Sequence, residues 1–149
     1  MKRNKYTIII AVIIVLGVIG YFSNDQKAEE KEEPKKEIEY SIYQQWTIPN
    51  GGYSKLIVID KKYKNREDLV SLIDKIKSDT KSDRNALIWV YDDEKAASMF
   101  KNINSLSETD VKYYDDHFLA SYTRNINSGY HQVEIMPEGL NGKIETIKF

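Results

Sequence analysis

Residues 55–91 read KLIVIDKKYKNREDLVSLIDKIKSDTKSDRNALIWVY, and the succession of hydrophobic periods in this stretch decides the fold. Lys55-Leu56-Ile57-Val58-Ile59 is a continuous apolar run behind one lysine, the pattern of an inner strand covered on both faces. Asn65 is placed to cap a helix, since its side-chain oxygen can accept from a first-turn amide, and Leu69, Leu72, Ile73 and Ile76 recur on one stripe of that helix. Polar residues 78–85 end it, and Ala86-Leu87-Ile88-Trp89-Val90-Tyr91 is a second buried strand. Strand, amphipathic helix and strand predict a right-handed βαβ unit with parallel strands.

Outward from this unit the signals are shorter. Tyr40, Ile42, Gln44, Trp46 and Ile48 alternate with more polar neighbours at the strand period of two, and Pro49-Asn50-Gly51-Gly52 has the chemistry to fold that strand back. Downstream, Asp92 is placed to cap a shorter helix carrying Ala96, Ala97, Phe100 and Ile103. After a polar stretch through Asp110, strands are expected over about 117–124 and 130–136, and again over 144–149 beyond the turn residues Pro137, Gly139, Asn141 and Gly142. The predicted order is ββαβαβββ, an α/β (α+β) sandwich with a mixed sheet over residues 40–149 and no internal repeat.

The middle hairpin can be registered from sequence alone. A two-residue turn at Asn127-Ser128 sets position 124 against 131, 122 against 133 and 120 against 135. Phe118, Ala120, Tyr122, Val133 and Ile135 then share one face, which makes a coherent core. His117 falls on the other face from His131 and roughly 23 Å along the sheet from that residue's partner, so the two histidines do not converge on one metal.

Ahead of the domain, Lys2, Arg3 and Lys5 precede a non-ionic run, YTIIIAVIIVLGVIGYF, over residues 6–22. As a helix this run spans roughly 26 Å, against a hydrocarbon core of about 30 Å. Val18-Ile19-Gly20 offers no Ala-x-Ala cleavage site, so an uncleaved transmembrane anchor is expected ahead of secretion after signal cleavage. Basic residues lie before the run and acidic ones after it, which places the N-terminus in the cytoplasm and the rest outside. Residues 1–22 are thus a cytoplasmic stub and anchor with the lipid bilayer as partner, and residues 23–39, SNDQKAEEKEEPKKEIE, a charged flexible tether.

Composition narrows the function classes. Acidic residues slightly outnumber basic ones after residue 37, which argues against nucleic acid as a partner. The chain has no cysteine, hence no disulfide and no lipidated N-terminal cysteine. Abundant Lys, Ile, Asn and Tyr suggest a bacterial envelope protein. No glycine-rich phosphate loop, Gly-x-Ser-x-Gly elbow or His-Glu-x-x-His is present, so no catalytic residue and no cofactor is assigned. Ser-x-x-Lys at 78–81 and at 98–101 lies late in a helix, without Lys-Thr-Gly, and is given no role.

Three candidate sites remain. Eleven Tyr and two Trp exceed what so small a core needs, and Tyr43, Trp46 and Tyr114 near strand ends suggest a surface for a protein or a cell-wall component. Arg124 opposite His131, with Tyr122 next along that face, could clamp a small anion or carboxylate. Asp60 and the pair Asp92-Asp93 follow the carboxyl ends of the two βαβ strands, where a divalent cation would find oxygen ligands.

The anchor and tether, Trp46-Thr-Ile-Pro-Asn-Gly-Gly52, Asp83-Arg-Asn-Ala86, Tyr91-Asp92 and the segment 114–122 resemble small bacterial signal-anchored proteins of uncharacterised function over residues 46–149. That resemblance implies fold class and location, and brings no activity or site. The expected function is a single-pass, membrane-anchored extracytoplasmic binding domain. The alternatives are a divalent-metal-dependent or hydrolytic envelope enzyme and an immunity protein against an exported toxin.

Overall fold

The computed structural model describes residues 37–49 and 51–149. The expected anchor, and the tether up to residue 36, lie outside the described residues; among those described, no helix is long and apolar enough to cross a membrane. The elements are β1 (Tyr40–Thr47), β2 (Gly52–Ile59), α1 (Arg66–Asp79), β3 (Asn85–Tyr91), α2 (Glu94–Met99), α3 (Glu108–His117), β4 (Phe118–Asn125), β5 (Tyr130–Ile135) and β6 (Glu145–Lys148). Short 3₁₀ turns at Lys61–Tyr63 and Phe100–Ser105 complete the elements among the described residues.

The six strands form one mixed sheet in chain order, with β2 and β3 parallel and every other neighbouring pair antiparallel. The predicted βαβ unit is present. Asn65 caps α1 by accepting from the Asp68 amide at 2.9 Å, and Leu69, Leu72, Ile73 and Ile76 are buried on Ile57, Ile59, Ile88, Val90, Tyr122, Val133 and Ile135. On the opposite face Ala96 and Ala97 of α2 and Tyr114 of α3 pack on Leu56, Tyr91, Phe118 and Met136. The sheet therefore lies between α1 on one side and two shorter helices on the other. Ile38, expected in the tether, is buried with the α1 cluster, so the packed fold starts ahead of Tyr40.

Two departures from the sequence expectation matter for function. The first is in β1, where the register shifts at Tyr43: Tyr40 and Ile42 pair with Ile59 and Ile57, but Gln44 and Trp46 pair with Leu56 and Ser54. A strand alternates faces residue by residue, so one extra residue reverses everything beyond it. Trp46 consequently lies on the face opposite α1 rather than beside Tyr40 and Ile42. The second is α3, expected as a polar stretch running into a strand. Ser107 caps it, accepting from the Asp110 amide at 3.2 Å, and Tyr114 is its buried residue. With so narrow an apolar stripe the helical period is invisible in sequence, though Ser-x-x-Asp was a legible start signal. The observed order of the main elements is ββαβααβββ.

The hairpin register matches the expectation, with Arg124 opposite His131, Tyr122 opposite Val133 and Ala120 opposite Ile135. Its turn takes residues 126–129 rather than two, and Gly129 supplies the positive φ of 69°. Leu72 is fully buried between α1 and the sheet. Leu72→Ala is expected to cost about 2–5 kcal/mol in urea unfolding, whereas Ile144→Ala, at a half-exposed side chain, should leave the midpoint nearly unchanged.

Candidate functional site

Helices α2 and α3 cover their sheet face around Leu56, Tyr91, Phe118 and Met136, and Trp46, Trp89 and Phe100 pack at the margin of that cluster. Beyond Tyr91 and Phe118 the same face is laid out by register as two cross-strand rows. One runs Gln44, Leu56, Trp89, Ser121, Glu134, Thr146, and the other runs Trp46, Ser54, Leu87, Thr123, Gln132, Lys148. In these rows Leu56 and Ser54 are fully buried, whereas Trp46, Leu87, Trp89, Ser121, Thr123, Gln132 and Glu134 are half-buried.

Its β1 to β3 side is aromatic. The rings of Trp46 and Trp89 lie 5.9 Å apart and within 14° of parallel. Phe100, at the start of the second 3₁₀ turn, leans on Trp89 at 4.7 Å and on Trp46 at 5.9 Å. Beside Trp46 in its row, Ser54 is 1% exposed and its Oγ has no hydrogen-bond partner among the described residues. The β4 to β5 side is polar. Ser121 Oγ donates to Glu134 Oε2 at 3.3 Å and Gln132 Nε2 to Glu134 Oε1 at 3.4 Å.

Tyr43 is the extra residue of the β1 bulge and is exposed. Tyr114 and Tyr122 do not belong to a binding surface, because both are buried. The Tyr114 hydroxyl lies 2.9 Å from that of Tyr91, and burial raises the pKa of both phenols. Trp89, read in the sequence as a strand-core residue, is the site residue that sequence reasoning missed. Its cue was lone bulk among smaller aliphatics on an alternating strand.

Arg124, His131 and Tyr122 do meet, on the α1 side of the sheet. Nη1 of Arg124 donates to the carbonyls of Thr80 at 3.0 Å and Lys81 at 3.1 Å, so the guanidinium caps the end of α1. His131 Nε2 is 2.9 Å from the Tyr122 hydroxyl, and its ring packs on Phe149 at 4.8 Å. Burial, then the positive charges of Arg124 and Lys77, lower the His131 pKa below 6.5.

The three aspartates at the strand ends are each engaged by the chain itself. Asp60 accepts from the Lys62 amide at 3.0 Å and pairs with Lys62 Nζ at 2.9 Å. Asp93, not Asp92, caps α2, accepting from the amides of Lys95 at 2.9 Å and Ala96 at 3.2 Å. Burial raises the Asp93 carboxyl, but hydrogen bonds from Tyr113, the Ala96 and Lys95 amides and Lys61 outweigh it and hold the pKa low. Asp92, with its side chain 2% exposed, takes His117 Nδ1 at 2.6 Å. That bond ties the end of α3 to the end of β3. Among the described residues no three His, Asp or Glu side chains gather as metal ligands.

Comparison with models of known families, with curated proteins and with solved structures returned no match to this chain. The site is therefore defined by its own geometry.

Two measurements probe these polar contacts. His117→Ala leaves the buried Asp92 carboxylate without its partner and should cost about 1–3 kcal/mol. In the cycle with Asp92→Asn the double variant should lose less than the sum of the two singles. For His131 the lowered folded pKa means stability is fully present above about pH 6.5 and is lost as pH falls through the folded value. The fall in urea midpoint from about pH 7 to about pH 5 should accordingly be smaller in His131→Phe than in the parent.

Proposed function

We propose that this chain is a binding domain held outside the membrane by its N-terminal apolar segment, and that the partly covered sheet face carrying Trp46 and Trp89 is its binding face. The observation that carries the reading is the pairing of the chain's two tryptophans, half-buried and stacked on each other, on a face that α2, α3 and Phe100 cover only in part. Tryptophan contributes large contact area with few rotatable bonds and dominates binding hot spots, so two stacked at a surface are costly to expose unless a ligand covers them. The positively flanked apolar run over residues 6–22 supports the location. The tether, which ends ahead of the buried Ile38 and so spans residues 23–36, has a root-mean-square reach of roughly 20 Å and lets the domain sample material near the membrane surface.

The acidic and histidine groups support binding over catalysis through what they already do. Asp92 with His117, Asp93 with Tyr113 and the α2 amides, and Arg124 with the α1 carbonyls each fasten one element to another.

Co-sedimentation of full-length protein with purified wall sacculi, and separately its binding to extracted envelope proteins, tests the face. Trp46→Ala and Trp89→Ala should each reduce binding about tenfold or more, as hot-spot truncation does. Ile42→Ala, on the α1 side of β1, should leave it unchanged. Binding that is equal in all four proteins contradicts the assignment.

A further inference from the structure

We infer that two copies of this chain pair through the outer edge of β1, antiparallel about a two-fold axis at Trp46, so that their sheets join into one. The inference goes beyond the binding reading and does not depend on what the Trp46 face binds.

The edge itself carries it. Among the described residues β1 has a neighbouring strand on one side only. Exposed edges are ordinarily kept from pairing by charge, proline or a bulge. Residues 40–54, which make up β1 and its turn into β2, hold no charged side chain, although 30% of the chain is charged. This is the longest uncharged run within residues 37–149. The other edge of the sheet is guarded. There β6 has only 4 residues and ends in Lys148, and its first, Glu145, is held by Arg66 at 2.6 and 2.7 Å.

The geometry of β1 fixes the pairing. The bulge at Tyr43 and Pro49, which has no N–H, bound a regular stretch over residues 44–48 whose centre is Trp46. Ile48 donates its N–H to the Gly52 carbonyl at 3.2 Å, so the backbone of residue 48 faces β2. Backbone groups reverse direction from one residue to the next, so residues 46 and 44 also face β2 while Gln45 and Thr47 face outward. An axis at Trp46 sets Gln45 against the partner's Thr47 and Thr47 against the partner's Gln45, each pair exchanging two N–H···O bonds. Every outward backbone group of these two residues is then satisfied. Their side chains are exposed and uncharged, and meet as amide against hydroxyl.

Symmetry selects a second copy over other strands. A window centred on one residue is what self-pairing requires, whereas an unrelated extended peptide has no need of it. Pairing of β1 with β6 of the next copy would leave open ends and a growing sheet, while pairing of β1 with itself closes at two. The axis stands normal to the sheet, so both Trp46–Trp89 pairs come to lie on one side of the joined sheet.

Sedimentation equilibrium of full-length protein in detergent micelles tests the association. A reversible dimer is expected, half-formed at or below roughly 0.1 mM, as suits a small interface. Thr47→Pro removes only an outward N–H, so it should weaken association about tenfold or more and leave the circular dichroism spectrum unchanged. Thr47→Ala should associate as the parent does. The chain has no cysteine of its own, so disulfide cross-linking reads the register even where the proline disturbs β1. A mixture of Gln45→Cys and Thr47→Cys proteins should cross-link on oxidation, since paired Cα atoms lie about 5.5 Å apart. Either variant alone should not, because like residues lie roughly 8–9 Å apart, beyond the reach of a disulfide. A monomer throughout that concentration range, a dimer that Thr47→Pro leaves intact, or cross-links as ready within each variant as between them overturns the inference.

Discussion

The constraint on which the rest of the structure depends is the parallel pairing of β2 with β3. It opens at Gly52 against Asn85, where a Cβ on residue 52 would lie 1.8 Å from the Asn85 carbonyl oxygen and where φ is +140°. Only glycine lets the strands meet there, and the Asn85 amide then donates to Gly51 at 3.1 Å. Parallel strands require a crossover, and the crossover commits α1 to one face of the sheet. That face becomes the larger core. The other face receives only what the β3 to β4 connection can supply, α2 and α3, of 6 and 10 residues. They cover Leu56, Tyr91, Phe118 and Met136 and leave Trp46 and Trp89 half-buried at the margin of that cluster.

The bulge at Tyr43 gives this uneven cover its chemical consequence. An unbroken β1 would carry Trp46 to the side of Tyr40 and Ile42, among the aliphatic residues under α1, and Trp89 would stand alone on the opposite side. The slip of one residue brings the tryptophans together at 5.9 Å and lays Phe100 against both. A local irregularity in an edge strand thus assembles the candidate site, while its polar half is placed by the regular register of β4 and β5.

The parts of this fold that the sequence makes legible are those where one period dominates. The α1 stripe of Leu69, Leu72, Ile73 and Ile76 and the apolar strands beside it leave one arrangement for the crossover. The β4 to β5 register follows because only one alignment buries Ala120, Tyr122, Val133 and Ile135 together. Legibility fails where the cause is non-local. Tyr43 is marked as a bulge by its partners on β2, not by its neighbours in β1. Tyr114 looks like a surface aromatic in sequence, and it is buried where its hydroxyl finds that of Tyr91. Asp92 and His117, 25 residues apart, meet because α3 ends where β3 does.

The most direct measurement is a nuclear Overhauser spectrum of the protein, in which the two indole rings are the only ones in the chain. The account predicts cross-peaks between Trp46 and the rings of Trp89 and Phe100. Cross-peaks from Trp46 to Tyr40 and the α1 side chains, without any to Trp89, would contradict it by showing β1 in uninterrupted register and the two tryptophans on opposite faces.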